Sequence, residues 1–139
     1  MAHIELVPGI EDGGMATMIA DIIKGNLEEK PKREKDFNAL KGSIYMQAED
    51  AEVDMTLIFN KGSLEVHNGM VGKPKISIVT DSGTLLDLAN ISVKFGLPYY
   101  FDATGRDVIA KLVTGKLKIK GLVSHPIKLT RFTKLMSVK

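Results

Sequence analysis

The chain is 139 residues long, 44% hydrophobic and 26% charged, with a formal net charge of +2. That length suits one domain burying roughly two thirds of its unfolded surface, and the apolar content excludes a disordered tail. The absence of cysteine excludes disulfides, thiolate zinc sites and cysteine nucleophiles, and it fits a reducing compartment.

The predicted elements follow in chain order. Met1–Gly14 contains PGIEDGG and reads as a leader, so the expected domain spans residues 15–139. Met15, Met18, Ile19, Ile22 and Ile23 share one face of an amphipathic helix. NLEEKPKREKD (Asn26–Asp36) is charged, contains Pro31 and reads as an exposed connection. The period then becomes two. Ile44, Met46 and Ala48 alternate with polar neighbours, as do Val53, Met55, Leu57 and Phe59, then Leu64 and Val66, with Lys61-Gly62 as a hairpin turn. KISIVT (Lys75–Thr80) makes a fourth strand. Asp81 or Ser82 caps a helix carrying Leu85, Leu86, Leu88 and Ala89. Thr104-Gly-Arg-Asp107 starts another, with Val108, Ile109 and Leu112, ending at Gly115. GKLKIKG (Gly115–Gly121) is a fifth strand with Leu117 and Ile119 on one face and three lysines on the other. Pro126 opens a last helix whose face is Leu129, Phe132, Leu135 and Met136. The expected fold class is α+β: a five-stranded, mainly antiparallel sheet covered on one face by helices.

No run approaches the roughly 18 apolar residues of a membrane span, and the N-terminus lacks a secretion-signal pattern. A cytoplasmic protein is expected. From Gly105 onward nine Lys and Arg face one acid, Asp107, so this part carries +8 and the first 104 residues −6. A basic end suits anionic partners. Nucleic acid is disfavoured because GKLKIKG has no aromatic on which bases could stack.

Chemistry is hard to assemble. His3, His67 and His125 have no metal-ligand spacing; His67 reads as a surface residue and His125 as a helix-start residue. There is no nucleophile elbow, zinc-protease or Walker pattern. The expectation is a non-enzyme with no metal and no cofactor.

The order of elements, the hairpin DMTLIFNKGSLEVHNG (Asp54–Gly69) and above all TGKLKIKG (Thr114–Gly121) resemble the sterol carrier protein type 2 family, from about Met15 to Val138. The chain departs from that family at ISVKFGLPYYFDATG (Ile91–Gly105), which holds Phe95, Tyr99, Tyr100 and Phe101, four of its eight aromatics. The resemblance implies a hydrophobic tunnel between sheet and helices and non-catalytic binding or transfer of a long-chain lipid, whether fatty acid, acyl-CoA, phospholipid or sterol. On that basis the expected lining is Leu57, Phe59, Ile78 and Ile119 from the sheet. Ile22, Leu85, Leu88, Phe95, Tyr100, Phe101, Leu112, Phe132 and Met136 are expected from the helices and the aromatic loop. Lys116, Lys118 and Lys120 are expected to face water and to meet lipid headgroups of an anionic membrane. The alternative is a protein-protein interaction or dimerisation module serving a partner enzyme, with the aromatic loop buried against another chain.

Overall fold

The structure, a computed structural model, describes residues 3–6, 14–91, 93–94, 97–98, 100–121 and 124–137. Its elements are β1 (His3–Leu6), α1 (Met15–Glu29), α2 (Arg33–Ala39), β2 (Lys41–Ala48), β3 (Val53–Asn60), β4 (Ser63–Asn68), β5 (Ile76–Thr80) and α3 (Ser82–Leu88). After them come β6 (Val93–Lys94), β7 (Leu97–Pro98), α4 (Ala103–Thr114), β8 (Lys118–Lys120) and α5 (Pro126–Met136).

The fold is α+β, with a sheet of six strands and mixed direction where five mainly antiparallel strands were expected. The order is β1-β4-β3-β2-β5-β8. β1 adds the sixth strand from the segment read as a leader, pairing parallel with β4 from His3↔Ser63 to Leu6↔Val66. β2–β3, β3–β4 and β5–β8 are antiparallel, but β2–β5 is parallel. Lys61 and Gly62 both have positive φ, 44° and 104°, which matches the right-handed strand twist in a two-residue hairpin.

The parallel β2–β5 pair follows from the connection after β4. Residues 69–75 must carry the chain past β3 and β2, about 14 Å at the usual strand spacing, which seven residues span easily. This segment is tied to the outer sheet face through Thr56. Its Oγ1 donates to the Gly69 carbonyl at 2.6 Å and accepts from the Val71 amide at 3.0 Å. Thr56 and its cross-strand neighbour Tyr45 are therefore buried on that face, where the Tyr45 hydroxyl donates to Asp54 Oδ2 at 2.8 Å.

On the other face, Ile44, Met46, Met55, Leu57, Phe59, Leu64, Val66, Ile76 and Ile78 form the floor of one core. α1 packs on it through Ala16, Ile19, Ala20 and Ile23, a face rotated from the expected one. Met18 is 40% exposed, while Ala16 and Ala20 take places on the buried face. Asn26 at the end of this face donates to the Leu135 carbonyl at 2.7 Å and so joins α1 to α5.

The segment Asn26–Asp36, read as an exposed connection, holds the end of α1 and the start of α2. The charges of α2 hide one fully buried aromatic, Phe37, whose ring meets Phe59 edge-on at 6.1 Å; Phe59 in turn meets Phe132 at 6.0 Å. Edge-to-face rings at this separation attract beyond their burial. α3 has Asp81 as its cap, accepting from the Thr84 amide at 2.6 Å. α4 begins earlier than expected. Asp102 caps it by accepting from the Gly105 amide at 2.7 Å, in place of Thr104. His125 is the residue before α5, which Pro126 opens. His67 is half-buried, with Nε2 3.3 Å from Glu65 Oε1.

Candidate ligand cavity

β5 and β8 lie at the far edge of the sheet, and there the helices stand off from it. The space between is an apolar cavity of about 180 Å³. Its floor is Ile78 of β5, Ile119 of β8 and Leu117 just before β8, with Ile78 and Ile119 directly opposite each other in register. One side is Leu88 at the end of α3 and the following Ile91. The roof is α4, through Val108, Ile109 and Leu112. α5 supplies Leu129, Phe132, Thr133 and Met136. Tyr100, just before α4, completes the wall.

Two lining residues are also exposed, Tyr100 at 36% and Ile109 at 41%. They mark where the cavity reaches solvent. Beside them Phe101 is 72% and Val113 81% exposed, so α4 and its approach carry apolar side chains on both the inner and the outer face.

The wall holds no charged side chain. Its polar atoms include the Thr133 hydroxyl, which already donates to the Leu129 carbonyl at 2.9 Å within its own helix. The other is the Tyr100 hydroxyl, whose pKa is raised by burial. Such a site offers hydrocarbon contact and no counter-ion for a buried carboxylate. An empty apolar void of this size costs about 4 kcal/mol at the usual penalty of about 24 cal/mol per Å³. An apolar void of about 150 Å³ takes benzene, so this one has room for a segment of six to eight carbons.

Of the residues singled out from sequence, Ile78, Leu88, Tyr100, Leu112, Ile119, Phe132 and Met136 stand on this wall. Leu57, Phe59 and Leu85 do not. They are buried in the core but off this wall, with Ile22 half-buried against that core. Phe59 is held between Phe37 and Phe132. Phe101 faces solvent, and Phe95 lies outside the described residues. Ile91, Val108, Ile109, Leu117, Leu129 and Thr133 complete the lining. All but Ile91 and Thr133 sit on apolar faces legible in the sequence; what the sequence lacks is which end of the sheet those faces leave unfilled.

Lys116, Lys118 and Lys120 are all exposed, Leu117 is buried and Ile119 half-buried. The stretch GKLKIKG, of which only Lys118–Lys120 is strand, thus turns its apolar row to the cavity and its lysines to water. Lys111 ties the roof to its neighbour: Nζ lies 3.1 Å from Asp107 and 3.6 Å from Asp87 of α3. Those contacts raise its pKa, the Asp107 hydrogen bond most. Only Gly105 and Val108 of α4 are buried, so the roof is the lightly packed wall. Among the described residues no group of three or more His, Cys, Asp or Glu could hold a metal ion, and no helix is long and apolar enough to cross a membrane.

No family model matches the sequence, and no curated protein matches it. Solved structures do. A UbiJ-SCP2 ubiquinone synthesis protein superposes with a TM-score of 0.61 at 13% identity, over 88% of this chain and 95% of that one. Sterol carrier protein 2 from Yarrowia lipolytica in its apo form gives 0.53 at 17% identity, over 94% of this chain and 98% of that one. The sec-alkylsulfatase Pisa1 from Pseudomonas sp. gives 0.54 at 19% identity, over 76% of this chain but only 14% of the enzyme. At these identities the likeness is one of architecture. The chain has the sterol carrier protein 2 fold.

Proposed function

We propose that this protein binds the apolar part of a lipid in the cavity beneath α4, as a non-catalytic carrier. The observation that carries the reading is the cavity itself, apolar on every side, uncharged, and reaching solvent between Tyr100 and Ile109. Its position between the sheet edge and the helices of a sterol-carrier-type fold supports the same reading. With room for six to eight carbons, the cavity as it stands takes one end of a fatty acyl chain or the tail of a sterol. A longer chain extends past the mouth or displaces α4, the wall with least buried surface. The charged or polar head stays outside, since the wall offers it no partner.

Transfer to and from membranes fits the outer surface. Phe101, Ile109 and Val113 are exposed beside the mouth, and Lys116, Lys118 and Lys120 follow on the same connection from α4. Each lysine near an anionic bilayer adds about 1 kcal/mol. The interaction-module reading draws on the same exposed residues, and on the Pisa1 match, in which the likeness covers a small part of an enzyme.

Native mass spectrometry separates the two. A carrier gains a mass of several hundred daltons from a fatty-acid and phospholipid mixture after delipidation, at constant oligomeric state. An interaction module keeps its bare mass with every lipid and changes oligomeric state with concentration, which would overturn the carrier reading.

A further inference from the structure

On the opposite side of α5 from the cavity, an open groove of about 710 Å³ runs between α5 and the start of α2. Lys32, Arg33 and Lys35 border it on the α2 side, and Arg131 and Lys134 on the α5 side. Asp36 is the lone carboxylate on its wall. That carboxylate is 5% exposed and already held by two cations, Arg131 Nη1 at 3.3 Å and Lys134 Nζ at 3.1 Å, both on Oδ1. The groove is left with a net charge of +4, and no carboxylate among the described residues pairs with Lys32, Arg33 or Lys35.

Cations usually sit among charges of the other sign, because crowding like charges raises the energy of the folded state. Here a second observation points the same way. Arg33 Nε is buried with no hydrogen-bond acceptor, and a buried donor left unpaired is costly and calls for a partner. Asp36 supplies none to it, being engaged by Arg131 and Lys134, but it does fix those two side chains at the groove wall. Two guanidinium forks and three ammonium groups around one open space match the several oxygens and multiple charge of a phosphate group. Pro126 and Ile127, the latter 70% exposed, give the groove an apolar end, and Thr130 adds a hydroxyl to its wall.

We infer that the α2–α5 groove is an anion site for a phosphate-bearing ligand, distinct from the apolar cavity and separated from it by the thickness of α5. The inference does not rest on the carrier reading. A protein that bound no lipid in its cavity would still carry this groove.

The probes are inorganic pyrophosphate, followed by calorimetry at fixed salt, and vesicles of phosphatidylcholine with or without phosphatidic acid, followed by co-sedimentation. Binding of pyrophosphate alone identifies a soluble phosphate compound as the source. Binding of phosphatidic-acid vesicles, with none to phosphatidylcholine alone, identifies a headgroup. In either arm the double variant Lys32→Gln/Lys35→Gln, whose side chains are exposed and leave the fold untouched, weakens binding at least tenfold. Arg33→Lys weakens it several-fold although the charge is kept, because the fork is lost. Lys24→Gln/Lys73→Gln removes the same charge at exposed positions elsewhere and weakens binding less than twofold. The inference is overturned if neither probe binds at millimolar concentration. It is overturned equally if Lys24 and Lys73 matter as much as Lys32 and Lys35, since the effect would then be general attraction and not a site.

Discussion

Partly filling the cavity should stabilise the protein and weaken its affinity for lipid at once. Val108 is 4% exposed on the roof helix and lines the void, so Val108→Phe directs a ring into it. A ring occupying about 60 Å³, a third of the space, recovers about 1.5 kcal/mol at about 24 cal/mol per Å³. For a chain of this size that raises the melting temperature of ligand-free protein by about 5 °C. The same ring displaces two or three carbons of a bound chain. At about 0.8 kcal/mol per methylene this is about 2 kcal/mol, or roughly thirtyfold in affinity. Calorimetry of delipidated protein and displacement of a fluorescent fatty acid measure the two effects independently. A variant that melts lower than the parent and binds the probe unchanged would refute the reasoning, because the ring would then have met packed atoms and the lipid would sit elsewhere.

Other perturbations test the frame around the site. Asp81→Ala removes the cap of α3 and should cost about 1 kcal/mol in urea denaturation. Hydrogen bonding from Thr84 lowers the Asp81 pKa below its ordinary 3.8. The stabilisation is therefore present above that value and lost as pH falls below it, where parent and variant midpoints should converge. Gly121 closes GKLKIKG at φ +92°, and a Cβ there would lie 2.5 Å from the Lys75 carbonyl oxygen. Gly121→Ala should cost more than 2 kcal/mol, as a clash adds to about 1–2 kcal/mol of left-handed strain. Gly25→Ala in α1, where the added atom meets nothing within 4 Å, should gain up to about 1 kcal/mol. Burial, then the hydrogen bond to Asp54, pushes the Tyr45 pKa up to about 12. The stability this contributes is complete below pH 10 and lost as pH rises towards 12; denaturation midpoints of Tyr45→Phe should lack that alkaline decline.

Much of the fold was legible because burial imposes a period. The alternation through Ile44–Val66 and in GKLKIKG gave the faces of β2, β3, β4 and β8 correctly, and the apolar stripe of α5 was found whole. Strand direction was not legible. Alternation tells which face is buried but not which neighbour a strand takes, and the passage of residues 69–75 over the sheet is a long-range event anchored by Thr56, a residue with no local signature. Helix α2 escaped because one buried Phe37 outweighs the charges around it, and a single aromatic makes no period. β1 escaped because an edge strand of four residues needs little pattern of its own. A cavity was expected only from the family resemblance, and nothing in the periodicity gave its place. Leu57, Phe59 and Leu85 look no different in sequence from Ile78, Leu88 and Ile119. What separates them is the distance between sheet and helices at each point, which depends on the sizes of all facing side chains together.

On the proposed reading, lipid enters at the β5–β8 end and nowhere else in the core. Methyl-resolved NMR of delipidated protein, titrated with a medium-chain fatty acid, tests it directly. Shifts are expected at Ile78, Val108, Ile109, Ile119 and Leu129, with Ile19, Leu57, Leu64 and Val66 unmoved. Shifts centred on the second group, or none at saturating ligand, would contradict it.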